Sequence, residues 1–147
     1  MTSNDKIDKY NKLLAIVYSN LMLREIDGIR NGSMKDLTFH EIHTIELVGN
    51  LGEGTVSQIA GEARVTQSTM STMVDKLVKK GLVQRTRSES DRRLVSVKLT
   101  KKGKLAYREH ENVHREVTRS WLSILDEKEQ KFLLDMMEKM ASLMPQK

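Results

Sequence analysis

The chain has no cysteine. Disulfides, thiol redox chemistry and thiolate metal sites are therefore excluded, and a reducing compartment such as the cytoplasm is the expected location. Proline occurs once, at Pro145 beyond the last expected helix, so no proline-rich linker divides the chain. Aromatic residues make up 4% of the sequence, which leaves the core to aliphatic side chains and nine methionines. No run of about eighteen apolar residues exists, as a membrane span would need, and the polar start Met1-Thr2-Ser3-Asn4-Asp5-Lys6 lacks the apolar segment of a signal peptide. A glycine-rich phosphate loop is also missing, as is a nucleophile with a partnering base, so neither catalysis nor a cofactor is expected.

What is present is a chain of 147 residues with 38% hydrophobic content, enough for one domain with its own core. Its net charge of +5 says little until it is divided. Residues 64–104 hold twelve Lys or Arg against three Asp or Glu, for +9, whereas the rest holds thirteen against seventeen, for −4. A surface serving only solubility would mix the signs. Cations gathered in one segment suit a run of phosphates instead, and point to nucleic acid.

Periodicity predicts a helical body. Ile7, Tyr10, Leu14, Val17 and Leu21 recur at three-to-four spacing along a helix from about Asp5 to Arg30, broken by Asn31-Gly32-Ser33. Thr38-Phe39-His40-Glu41 has the form of a capping box and starts a helix through Leu51, ended by Gly52-Glu53-Gly54. Thr100 caps a long helix to about Ser123, and Asp126-Glu127-Lys128-Glu129 caps a last one carrying Phe132, Leu133, Met136, Met137, Met140 and Leu143. The wide apolar stripes of the first and last helices call for a partner subunit, with a monomeric bundle as the plainer reading.

Between these helices lies the segment with the most functional information. Thr55-Val56-Ser57-Gln58 is another capping box, opening a short helix to about Ala63; Arg64-Val65 turns the chain; Thr66 caps a second helix with Met70, Met73, Val74 and Leu77 on one face, and Gly81 stops it. The other face offers Thr66, Gln67, Ser68, Thr69, Ser71, Thr72, Asp75, Lys76 and Lys79, and the short polar groups at its N-terminal end let a helix sit deep in a major groove and bond to base edges. Leu82–Arg87 and Leu94–Leu99 alternate apolar with polar as two strands, joined by a six-residue turn, Ser88–Arg93. Arg85, Arg87, Ser88, Asp91, Arg92 and Arg93 are its candidate DNA contacts, with an arginine for the minor groove and Asp91 orienting a neighbouring guanidinium. RNA suits this reader less, because the deep, narrow major groove of RNA does not admit a helix. The fold class expected is mostly α with a small β-hairpin wing: a winged helix-turn-helix at about 37–100, flanked by dimerisation helices at about 1–36 and 101–147.

Val65-Thr66-Gln67-Ser68, Leu77-Val78-Lys79-Lys80-Gly81-Leu82-Val83, Asp91-Arg92-Arg93 and Leu99-Thr100-Lys101-Lys102-Gly103 together resemble the MarR family of bacterial regulators, over nearly the whole chain. The resemblance implies a homodimeric winged-helix repressor on a palindromic double-stranded operator, controlled by a small ligand held between the reader and the dimerisation helices. By position it puts Ser68, Thr69 and Thr72 at the bases and Arg92 or Arg93 in the minor groove. Glu41-Ile42-His43-Thr44-Ile45-Glu46, Arg87-Ser88-Glu89 and the pair His110 and His114 resemble, more narrowly, the fatty-acid-biosynthesis repressors of streptococci and their relatives. That branch implies control of type II fatty-acid synthesis genes, with a long-chain acyl–acyl carrier protein as corepressor and an apolar tunnel for the acyl chain. Arg24, Glu25 and the neighbouring apolar positions are the candidate lining of a pocket for this or a small apolar effector. The histidines also support a rival. His110 and His114 lie four apart on one helix face and His43 on another helix, a pattern that zinc-sensing relatives resemble, with Glu25 or Glu41 completing a tetrahedral site. The plainer reading makes His43 and His110 core residues, aligned with Phe39 and Leu47 and with Ala106 and Val113 respectively.

Overall fold

The computed structural model describes residues 2–32, 34–87 and 95–143, apart from the side chain of residue 31. The elements in order are α1 (Ser3–Asn31), α2 (Phe39–Leu51), β1 (Glu53–Thr55), α3 (Val56–Ala63), α4 (Gln67–Lys79), β2 (Val83–Arg87), β3 (Val95–Leu99), α5 (Lys101–Leu122) and α6 (Glu127–Ser142). The chain divides into two units, residues 1–113 and 114–147, with the boundary inside α5.

In the first unit, helix starts follow from side chains that satisfy the free N–H groups of a first turn. Thr38 and Thr55 accept from the N–H groups of Glu41 and Gln58 at 3.3 and 3.2 Å, while those two side chains accept from Thr38 and Thr55 N–H at 2.8 Å each. Thr2 and Asp5 make the same reciprocal pair, so α1 begins at Ser3 rather than at the Asp5 expected from apolar spacing alone. Gly81, at φ 71°, ends the turn after α4 in a conformation that side chains disfavour.

The sheet has three antiparallel strands in the order β1-β3-β2, where two were expected. Glu53–Thr55, read from the sequence as part of the Gly52-Glu53-Gly54 stop and the Thr55 cap that follows it, pairs with Ser96–Lys98. A strand of three residues is too short for alternation to show, and its partner lies some forty residues further along. Between β3 and α5, Thr100 donates its N–H to Leu82 O at 3.0 Å and its hydroxyl to Gly81 O at 2.7 Å. Gly103 then presses so closely on the strand entrance that a methyl group there would overlap the Leu82 carbonyl oxygen.

These elements enclose one aliphatic core. α2 contributes Ile42, Ile45 and Val48, α3 contributes Val56, Ile59 and Ala60, and α4 contributes Met70, Val74 and Leu77. Leu82, Val83, Val97 and Leu99 close it from the sheet side, and Ala106 from α5. At roughly 1.5–3 kcal/mol per large aliphatic side chain taken from water, this is the dominant stabilising term. One charged group is built into its edge. Glu41 is 3% exposed, and its carboxylate takes the Lys80 ammonium at 2.8 Å, tying the start of α2 to the end of α4. Lys80 also donates to the Asp36 carbonyl at 2.9 Å.

α1 is different. From Ile7 to Leu23 most of its large apolar side chains lie in the open, Tyr10 at 67% and Leu14 at 62%. In the second unit, Asp126 caps α6 by accepting from the N–H groups of Lys128 and Glu129, and Gln130 donates to the Leu122 and Leu125 carbonyls, closing the α5–α6 turn. α6 likewise leaves Phe132, Met137 and Met140 more than half exposed. Among the described residues no helix is long and apolar enough to cross a membrane.

The Glu41–Lys80 tie has a measurable consequence. Burial pushes the Glu41 carboxyl upward, but Lys80, the Thr38 N–H and the Thr38 hydroxyl outweigh it and leave the group below the ordinary glutamate value of 4.5. A lowered folded pKa stabilises the protein above the unfolded value, and the gain is lost as pH falls through the folded one. Lys80→Met, which strands the buried carboxylate, is expected to cost about 2 kcal/mol at neutral pH. Denaturant titrations are expected to show that deficit shrinking once the pH drops below about 4.5; a deficit independent of pH would remove the ionic tie.

Candidate nucleic-acid interface

The reader is built from α3, its turn and α4. Arg64, at φ 54° and ψ 40°, ends α3 in the left-handed region, and two residues later Thr66 caps α4 by accepting from the Thr69 N–H at 3.2 Å. Because Met70, Val74 and Leu77 are buried, the opposite face of α4 is turned outward. Thr66, Gln67, Ser68, Thr69, Thr72 and Lys76 are exposed there, as expected, whereas Ser71 is half-buried at the margin. The Thr72 hydroxyl donates to the Ser68 carbonyl at 3.1 Å, and the Thr66 and Thr69 hydroxyls lie 2.8 Å apart. With its proton committed inside the helix, the exposed Thr72 side chain offers lone pairs and a methyl group, a chemistry that would suit a base amino group or a thymine methyl.

β2 stands beside this helix and is fastened to it. Arg85, expected at the nucleic acid, directs its guanidinium to Asp75 on α4 at 2.8 Å, which makes it a brace between strand and helix. Arg87 is exposed at the end of β2. Ser88, Asp91, Arg92 and Arg93 lie outside the described residues. Sequence reasoning missed this role of Asp75, which looks like one more surface acid until the strand is placed beside it. It also missed Glu53, whose carboxylate accepts hydroxyl bonds from Thr86, at 2.9 Å, and from Ser96.

A second cluster lies at α1, α2 and α5 within the first unit. Glu25 and His110 are 3% and 2% exposed, and His110 Nε2 meets Glu25 Oε1 at 2.8 Å. His43 Nε2 approaches the same oxygen at 3.5 Å, and Glu46 Oε2 lies 4.0 Å from both His43 Nε2 and His110 Nδ1. His43 Nδ1 donates to the Phe39 carbonyl at 3.0 Å, and its Nε2 is the nitrogen that faces the carboxylates. His43, Glu46 and His110 each offer a ligand atom, all within 4.8 Å of one another. Of the expected ligands, His43, Glu25 and His110 therefore come together, and His114 falls in the second unit. Glu41 is corrected: its carboxylate is drawn off to Lys80 and the Thr38 cap and cannot serve this cluster. His110 is a core residue as the plainer reading expected, while His43 is only half-buried. Beside His43 opens a cavity of about 310 Å³ lined by Phe39, Leu47, Val65, Met70 and Met73, among others, inside the reader rather than between it and the flanking helices.

A helix-turn-helix backed by a three-stranded sheet and a hairpin defines a winged helix-turn-helix protein. Residues 37–95 match the MarR family model. The Bacillus subtilis protein YhjH, described as an uncharacterised HTH-type transcriptional regulator, is 32% identical over 104 residues, 71% of this chain and 59% of its own length. MdtR of the same organism, an HTH-type transcriptional repressor, is 33% identical over 78 residues, 53% of this chain and 50% of its own. The chain thus spans about half to three fifths of the length of these curated relatives. The structure of Streptococcus pneumoniae FabT in complex with DNA superposes with a TM-score of 0.80 at 31% identity, covering 95% of this chain and 96% of that one. The chain belongs to the MarR family. Its named relatives are transcriptional regulators, not enzymes.

The histidine geometry is open to a direct check. Nitrogen NMR of metal-free protein is expected to find a proton on His43 Nδ1, where the Phe39 carbonyl accepts it; a ring protonated at Nε2 alone would mean that this hydrogen bond does not orient the imidazole.

Proposed function

We propose that the protein is a homodimeric transcriptional repressor, working in the cytoplasm, that reads a palindromic double-stranded DNA operator with α4 and the hairpin between β2 and β3. The observation that carries this reading is the outward face of α4, where Gln67, Ser68, Thr69 and Thr72 stand in the first turns of a capped helix held by a buried one. Its likeness to FabT, a protein solved in complex with DNA, supports the same reading. Two such helices one DNA turn apart, roughly 34–36 Å, would read an inverted repeat. The uncovered apolar faces of α1 and of α6 are the surfaces a second copy would bury.

For the effector, the convergence of His43, His110 and Glu25 favours zinc. Ligands bound at about 2.0–2.1 Å in a tetrahedron stand about 3.3 Å from one another, and the 2.8 and 3.5 Å separations at Glu25 Oε1 bracket that spacing. The Nδ1 contact of His43 with a backbone carbonyl is the kind of outer-shell bond that orients a metal-binding imidazole. An acyl chain of an acyl–acyl carrier protein, or a small apolar effector, is the second reading, favoured by the likeness to FabT and by the apolar cavity. At about 310 Å³ that cavity sits at the small end of ligand sites, which run from about 300 to 1,000 Å³, so it suits a short ligand better than a long chain.

Capture of genomic fragments by the purified protein is expected to return sequences sharing an inverted repeat; fragments with no shared repeat would end the reading. On a captured operator, replacing Arg92 and Arg93 together by alanine is expected to weaken binding by more than about 1–3 kcal/mol, the scale of one specific contact, in a gel-shift or anisotropy titration. Zinc is expected to change operator affinity by about tenfold or more, within the usual range of allosteric coupling, and the variant His110→Ala, His114→Ala is expected to lose that response. An equal zinc response in the variant would leave the acyl or apolar effector as the surviving reading.

A further inference from the structure

Alternation along the strands gives the sheet two faces. Val83, Arg85, Val97 and Leu99 lie on the inner one, and the registers Gln84↔Lys98, Thr86↔Ser96 and Glu53↔Lys98 put Gln84, Thr86, Ser96, Lys98 and Glu53 on the outer one. There a single oxygen, Glu53 Oε1, accepts the Thr86 hydroxyl from β2 at 2.9 Å and the Ser96 hydroxyl from β3, and these two hydroxyls stand 2.8 Å apart. One carboxylate of β1 thus holds both strands of the hairpin.

Its position along the sheet gives this grip its weight. β1 pairs with β3 only as far as Ser96, and the hairpin runs on with Arg87↔Val95 as its last rung before residues 88–94. At the Arg87↔Val95 rung only two strands are paired, an arrangement that twists more than a wider sheet and is less able to hold its own shape. The direction of the hairpin is therefore set at the last level where three strands meet, which is where the carboxylate sits.

We propose that Glu53 is a positioning residue for the wing: by accepting from Thr86 and Ser96 it fixes the angle at which the hairpin leaves the sheet and so brings the loop arginines to the DNA. This rests on the DNA-reading function proposed above. The Ser96 hydroxyl, then the Thr86 hydroxyl, hold the Glu53 carboxyl below the ordinary glutamate range, so the group is an anion at neutral pH. An anion beside a phosphate-binding surface should by charge alone weaken binding, and its removal should tighten it. Positioning predicts the opposite sign.

The test compares wild type with Glu53→Ala, Glu53→Gln and the double variant Thr86→Val, Ser96→Ala, by operator titration across a range of salt. Glu53→Gln keeps an oxygen that accepts both hydroxyls and loses only the charge. Glu53→Ala and the double variant are expected to bind about fivefold or more weakly, with a salt slope shallower by about 0.9 for each phosphate that the displaced wing no longer neutralises, while Glu53→Gln stays within about twofold of wild type. Glu53 is exposed, so the melting temperatures of all four proteins are expected to be close. Equal or tighter binding by Glu53→Ala would overturn the assignment, as would equal losses in Glu53→Ala and Glu53→Gln. So would a loss with an unchanged slope, which marks a smaller folded fraction rather than a misplaced wing. A wild type that binds no inverted repeat would instead remove the proposed function, and this role with it.

Discussion

The orientation of α4 depends on one constraint, the burial of its Met70, Val74 and Leu77 against α2, α3 and the sheet. A helix with one face committed to a close-packed core cannot rotate without exposing several large aliphatic groups, at about 1.5–3 kcal/mol each. The polar residues between them are therefore held outward as a set, with nothing else needed to display them. The brace from Arg85 to Asp75 and the tie from Lys80 to Glu41 then fix the flank and the end of the same helix.

α2 works in two directions. Ile42, Ile45 and Val48 enter the reader core, and Glu41 grips the residue that ends α4. His43, only two positions further on, turns elsewhere and meets Glu25 and the neighbourhood of His110. The helical period of 3.6 residues makes this division natural, since positions two apart look to nearly opposite sides. Membership of the MarR family agrees with the reader half of this arrangement.

Much of the fold was legible because its signals are local. Threonine followed three residues later by Glu or Gln marks the starts of α2 and α3, Gly81 marks the stop after α4, and apolar spacing marks the faces; each depends on atoms within a turn of one another. The pairing of Thr2 with Asp5 is equally local, but no apolar residue accompanies that first turn to mark it as the start of a helix. β1 and the hydroxyl bonds of Glu53 were not legible, and neither were Arg85–Asp75 and Glu41–Lys80. Each joins residues distant in the chain, or joins two elements whose relative placement local pattern leaves undefined. The histidines fell between these cases: the spacing of His110 and His114 is visible in one dimension, but that Glu25 and His43 arrive beside His110, and that Glu41 does not, required α1, α2 and α5 to be packed.

The amino-acid order alone settled the succession of helices, the polar face of α4 and the cationic middle segment, since propensity, capping and amphipathic period act over a few bonds and survive in any context. Only the folded chain decided which acids have partners and which strand joins the hairpin. It also decided which imidazole nitrogen faces a carboxylate. Those outcomes turn on distances of about 3 Å between groups far apart along the backbone, and a hydrogen bond or ion pair at that range exists only after burial of the core has placed both ends.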